Sequence, residues 1–183
     1  MTNPFNAISL IKAKKVELSL LSNQHYKFWY VIKNSPDTRK FVIDEPPKNL
    51  LDSKLQIKNL TDNFGTGNRM NLTYCISYDS NNVGLLGLKF GNRKLSSCKV
   101  WYLISREYWN QGLATDSLET ICEFCFRELN LHRIEAGCVV ENEASSKVLI
   151  KVGFNLEAHK LQVLNIDGSW RDIYEYALIS PST

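Results

Sequence analysis

The chain has 183 residues, 44% of them hydrophobic and 22% charged, the balance of a globular protein long enough to build one full core. A net charge of +3 is too small at this length to argue for nucleic acid, and Lys12, Lys14 and Lys15, the nearest thing to a basic patch, read as a solvated face. No apolar run approaches the roughly 20 residues that a membrane helix requires, so no membrane partner is expected.

In chain order, Val16 to Leu21 alternates and predicts a first strand. Gln24 to Asn34 reads as an aromatic-rich helix, and its Tyr26, Phe28 and Trp29 are assigned to the core. Ser35-Pro36-Asp37 breaks it. Pro46-Pro47 starts a second helical pattern through Leu50, Leu51, Leu55, Ile57 and Leu60, ending before Gly65-Thr66-Gly67. Leu72 to Tyr78 and Val83 to Phe90 form a hairpin across Ser80-Asn81-Asn82, and Gly91-Asn92-Arg93 leads onward.

The centre of the chain is a strand, Val100 to Ile104, that feeds through Gln111-Gly112-Leu113-Ala114-Thr115 into a helix with Leu118, Ile121, Cys122, Phe124 and Cys125 on its apolar face. A glycine turn at a helix start leaves main-chain N–H groups unpaired at the positive end of the helix, a ready site for phosphate. The segment is neither a Walker loop nor a dinucleotide fingerprint. Packing alone would also account for a single glycine at a strand-to-helix turn.

Arg133 to Val140 is a further strand, Ala144 to Val152 a short helix capped by Gly153, and Phe154 to Ile166 with Trp170 to Ile179 a final hairpin around Asp167-Gly168-Ser169. No repeat or linker marks a boundary, so residues 1–183 are expected to be a single domain. Five cysteines, an odd number, suit free thiols in a reducing, cytoplasmic compartment; Cys122 and Cys125 form a C-x-x-C only in name, lying mid-helix on the apolar side. Asn3, Pro4 and Asn6 interrupt the start, so no signal peptide is expected.

Glu107-Tyr108-Trp109-Asn110-Gln111-Gly112-Leu113-Ala114-Thr115 resembles the pyrophosphate loop of the GNAT acetyltransferases, in the form found in their RimJ/RimL branch. It departs from that pattern twice: Asn110 stands where the branch usually has glycine, and Trp109 where the superfamily has Arg or Gln. Asn tolerates left-handed conformations, so the loop is expected to survive. Asn142 to Phe154 resembles the family's second block, and Arg133-Ile134-Glu135-Ala136 and Asp167-Gly168-Ser169-Trp170-Arg171-Asp172 are also similar to that branch.

The resemblance implies a mixed α/β GNAT fold: a mostly antiparallel sheet of about seven strands with splayed central strands, flanked by about four helices. It implies an acetyl-CoA-dependent N-acetyltransferase with no metal, moving acetyl directly from the thioester to a primary amine. The expected acceptor is a protein N-terminal α-amine, as for ribosomal-protein acetyltransferases. A small amine (a polyamine, an amino-acid derivative or an antibiotic) and a non-catalytic acyl-CoA-binding module are the alternatives. A homodimer matches the branch's habit.

By the same resemblance, the main chain of Gln111, Gly112, Leu113, Ala114 and Thr115 would hold the coenzyme A pyrophosphate, and the edge of Leu103 and Ile104 its pantetheine arm. Asn142 would orient the pantetheine, although it is also a natural N-cap. Ser145 would give a proton to the departing thiolate, with Tyr174 or Tyr176 as the alternative acid. No base stands out; Glu135, Glu141 and Glu157 are candidates by position only.

Overall fold

The computed structural model describes residues 9–62, 71–91 and 96–181. Gly65-Thr66-Gly67 and Asn92-Arg93 lie outside them. The elements are β1 (Leu10–Lys12), β2 (Glu17–Leu20), α1 (Tyr26–Asn34), α2 (Pro36–Arg39), α3 (Leu50–Asp62), β3 (Asn71–Tyr78), β4 (Asn81–Phe90), β5 (Ser97–Ile104), α4 (Leu113–Arg127), β6 (Arg133–Val139), α5 (Glu143–Val152), β7 (Asn155–Ile166) and β8 (Ser169–Ile179). They form one eight-stranded sheet in the order β1-β2-β3-β4-β5-β6-β8-β7. Every pairing is antiparallel except β5 with β6.

The expected mixed α/β architecture is therefore present, with one strand and one helix more than anticipated among the described residues. The extra strand, β1, has three residues, too few for alternation to register. The extra helix, α2, is a single turn that Pro36 begins rather than prevents, since a proline at a first helical position gives up only an N–H that would be unpaired anyway.

Local chemistry accounts for the turns. The β3–β4 hairpin turns at Asp79 and Ser80 (φ 47° and 63°), and the β7–β8 hairpin at Asp167 and Gly168 (φ 49° and 82°); both pairs supply the left-handed residues that a tight hairpin needs. Gly153, at φ 101°, ends α5 while Phe154 N–H reaches back to Leu149 O.

Two apolar layers cover the sheet. On one face Leu86, Leu88 and Val100 pack with Leu118, Ile121, Cys122 and Cys125 of α4 and Leu149 of α5. On the other, Leu85 packs with Trp29 and Ile32 of α1 and Ile57 of α3, with Trp101 and Leu103 against them. Strand β5 thus sends alternate side chains to opposite layers. All five cysteines are buried free thiols. Among the described residues no helix is long and apolar enough to cross a membrane.

Candidate active site

Strand β5 parts from β6 after three residues. Their parallel pairing runs only over Ser97–Arg133, Cys98–Ile134 and Lys99–Glu135, so from Val100 onward β5 has one open edge. Ser105 N–H bonds Val83 O at 2.8 Å, and Ile104 lies opposite Gly84 and Leu103 opposite Leu85. Antiparallel alternation then turns the main-chain groups of Leu103 toward β4 and those of Tyr102 and Ile104 toward the opening. Of the two expected edge residues, Ile104 therefore offers its N–H to the gap, whereas Leu103 meets the cleft through its side chain. Ile104 O is already taken, by Trp109 Nε1 at 2.7 Å.

The start of α4 borders the same opening. Gly112 precedes the helix at φ 78° and Asn110 sits at φ 60°, so asparagine does take the left-handed conformation that the loop demands. The first helical bond runs from Asp116 N to Gly112 O at 3.0 Å, which leaves the N–H groups of Leu113, Ala114 and Thr115 without an intrahelical partner. Gly112, Leu113, Ala114 and Thr115 line the cleft, as does Asn110. Gln111 does not: its side chain folds back to Glu107 O (3.2 Å) and its carbonyl accepts Lys15 Nζ (3.0 Å).

Helix α5 forms the opposite wall. Asn142 caps it, Oδ1 accepting from Ser145 N at 3.2 Å, and also lines the cleft, so capping and facing a ligand coexist in one residue. Ser145 Oγ lies 2.9 Å from the hydroxyl of Tyr102, whose oxygen is also 3.2 Å from Ser145 O. Burial pushes the Tyr102 hydroxyl's pKa up, and the bond to Ser145 pulls it partly back. Cys138 Sγ is 3.3 Å from Ser146 Oγ, its thiol likewise pushed up by burial.

Tyr102 escaped the sequence reading, which placed the alternative acid at Tyr174 or Tyr176. Neither of those two lines the main cleft. Tyr174 packs edge-on against His159 and Tyr176, and Tyr176, also on β8, is buried and lines a smaller pocket. The signal that could have found Tyr102 is its parity in β5, two residues before Ile104 on the same edge.

The carboxylates proposed by position as bases are engaged elsewhere. Glu135 and Glu157 both pair with Arg133, which holds the Glu157 carboxyl below the usual carboxylate range. Glu141 pairs with Arg171 at 3.0 Å. None of the three lines the main cleft.

The cleft, about 1720 Å³, continues past the β5 edge onto the other face of the sheet, where Trp29, Lys33, Phe41, Asp44, Gln56 and Trp101 line it. Trp101 lies flat across Gly87, its partner on β4: a Cβ there would stand 2.2 Å from the indole. Lys33 is 3% exposed, lies over the rings of Trp29 and Trp101 (5.3 and 5.9 Å), and forms an ion pair with Asp44. Trp29 Nε1 donates to Gln56 Oε1 at 3.0 Å. Among the described residues no cluster of His, Cys, Asp and Glu is placed to hold a metal ion.

The model of the acetyltransferase (GNAT) domain matches residues 15–155. The chain is 32% identical over 85 residues to the [ribosomal protein uS5]-alanine N-acetyltransferase of Escherichia coli (strain K12), covering 46% of this chain and 44% of that one. It is 24% identical over 161 residues to the spermidine N(1)-acetyltransferase of the same organism, covering 87% and 83%. At 32–33% identity the matched segment spans about half the length of the curated relatives. Among solved structures, Mycobacterium smegmatis RimJ in complex with CoA-disulfide superposes with a TM-score of 0.83 at 24% identity, over 93% of this chain and 87% of that one. The open β5 edge, the free amides of α4 and a family match across both put the conclusion on firm ground: the chain belongs to the acetyltransferase (GNAT) domain family.

Proposed function

We propose that residues 1–183 form one acetyl-CoA-dependent N-acetyltransferase domain that moves acetyl to a primary amine, and that the acceptor is a protein N-terminal α-amine. One observation carries the reading. The free N–H groups of Leu113, Ala114 and Thr115, the open edge at Ile104 and the Ser145 hydroxyl all face a single cleft that continues to Trp101 and Trp29. These are the groups that a diphosphate, an extended pantetheine and a departing sulfur would require.

Acetyl-CoA supplies an activated acyl group, and the chain supplies position and charge. The α4 amides hold the diphosphate, with the helix's positive end adding to their attraction. The main-chain groups of Tyr102 pair the pantetheine amides as a neighbouring strand would. Ile104 N–H polarises the thioester carbonyl, Asn142 flanks the arm, and the Ser145 hydroxyl, held by Tyr102, gives its proton to the sulfur as the C–S bond breaks. The amine loses a proton to water as its C–N bond forms.

The scarcity of unengaged carboxylates favours the α-amine. Of the four carboxylates lining the cleft among the described residues, Asp37, Asp44 and Glu143 are in ion pairs, which leaves the exposed Glu45. At neutral pH about a tenth of an α-amine is already unprotonated, against about one lysine side chain in two thousand. Polyamine acetylation is the second reading, favoured by the likeness to the spermidine enzyme and by Asp37, Asp44 and Glu45 on the acceptor side; but Asp44 is matched by Lys33 and Arg39, and Asp37 by Lys40.

Thiol release from acetyl-CoA, measured with a panel of N-terminal peptides, spermidine and lysine, tests the choice. Peptide turnover with little on spermidine supports the leading reading; spermidine turnover alone supports the second. Coenzyme binding with no turnover on any amine would leave only a non-catalytic acyl-CoA-binding module.

A further inference from the structure

We propose that Lys15 is a coenzyme-binding residue, its ammonium carried from the β1–β2 turn onto the start of α4 to neutralise the diphosphate of coenzyme A. This rests on the acetyl-CoA reading and adds a residue that no local pattern indicates.

The loop from Trp109 to Thr115 has no cationic side chain of its own. Trp109 gives its indole N–H to Ile104 O, Gln111 folds onto Glu107 O, and the nearby Arg106 guanidinium lies over the Trp109 ring at 4.4 Å. A helix end carries only about half a positive charge, so a diphosphate bound there would be under-neutralised by the helix alone. Lys15 Nζ stands 3.0 Å from Gln111 O and 3.5 Å from where a Cβ on Gly112 would be. It is the one ammonium in contact with this loop among the described residues, and its partner there is a carbonyl, which leaves its charge unmatched.

The lysine does not need its own side chain to stay in place. Asp116, 7% exposed in the first turn of α4, accepts from the main-chain N–H groups of Lys15 (2.7 Å) and Val16 (3.2 Å) through one oxygen. Those two bonds clamp the turn to the helix and offset the Asp116 charge locally. Ala13 N–H to Val16 O at 2.9 Å closes the turn itself. A three-residue strand at the sheet edge thereby delivers a cation to a loop 96 residues away.

Calorimetry on the full chain compares wild type with Lys15→Met, titrating coenzyme A, 3′-dephospho-coenzyme A and pantetheine, which lacks the diphosphate. The variant should bind the first two roughly 10- to 150-fold more weakly, the size of one charge-assisted hydrogen bond, and pantetheine as wild type does. Its affinity should also fall less steeply with salt, and Lys15→Arg should recover most of the loss. Lys15→Gln gives a second neutral side chain should the methionine variant unfold early. Equal affinity of wild type and variant for coenzyme A would overturn the assignment. So would a loss seen with coenzyme A and absent with the dephospho form, which would put the ammonium on the 3′-phosphate instead. Failure of wild type to bind any of the three would overturn the coenzyme reading itself, and the lysine's role with it.

Discussion

The hydroxyls of Tyr102 and Ser145 lie 2.9 Å apart, joining the open edge of β5 to the first turn of α5 across the gap that a thioester would enter. Tyr102 is in contact with both oxygens of Ser145, so it fixes where the serine hydroxyl sits. In the proposed mechanism Tyr102 is a positioning residue and Ser145 the proton donor. Ser145→Ala should lower kcat by about 10- to 100-fold with little change in coenzyme affinity, and Tyr102→Phe by a smaller factor. Because the two act as a unit, the double variant should be scarcely worse than Ser145→Ala alone. Steady-state kinetics on the four proteins decides: additive losses would separate the pair.

At Gly112 the backbone has φ 78°, and a side chain there would sit beside Lys15 Nζ. Gly112→Asp places a carboxylate at the positive end of α4, where the proposed diphosphate would sit. We expect a loss of coenzyme affinity of at least about 100-fold, with the fold kept at a cost of about 1–2 kcal/mol for the strained backbone. Calorimetry for binding and circular dichroism for unfolding measure the two separately. Unchanged affinity would argue against the loop.

Gly87 lies directly opposite Trp101, and a methyl group there cannot coexist with the indole where it stands. Gly87→Ala should cost about 1–3 kcal/mol, a Tm lower by about 3–9 °C. Trp101 belongs to the α1 and α3 side of the sheet, so the acceptor KM should rise more than the acetyl-CoA KM. Thermal unfolding and kinetics with each substrate varied provide the check.

His25, 5% exposed, accepts from Ser22 N–H through Nδ1 at 3.0 Å, and burial holds its pKa below the ordinary value. The folded chain thus binds this proton less readily than the unfolded one. The stabilisation from the neutral ring is complete above about pH 6.5 and declines as pH falls through and below that value toward the lowered folded pKa. Urea midpoints between pH 8 and 5 should fall for wild type, and less steeply for His25→Gln. Parallel slopes would assign the acid loss to other groups.

Much of the architecture could be read from neighbours in sequence. The glycine turn before α4, the Asn142 cap, the Gly153 stop and the β7–β8 turn are local devices, and each appears where its residues predict it; the β3–β4 turn falls earlier than expected, at Asp79 and Ser80, because Asn81 and Asn82 join β4. The apolar face of α4 buries Cys122 and Cys125 as small hydrophobes, as their spacing implied. What was missed lies between elements. Tyr102 was not singled out until β5 and α5 brought it to Ser145, and Glu157 stood as a base by position only until β6 and β7 brought it to Arg133.

Periodicity and capping depend on residues within a turn or two of each other, so the main run of elements and the unpaired amides at the start of α4 were determined by the sequence itself. The pairings of Lys15 with Gln111, Tyr102 with Ser145 and Arg133 with Glu157 span 96, 43 and 24 residues. Only the tertiary structure decided those, because strand order and the early parting of β5 from β6 determine which distant side chains meet. No local spacing encodes that choice.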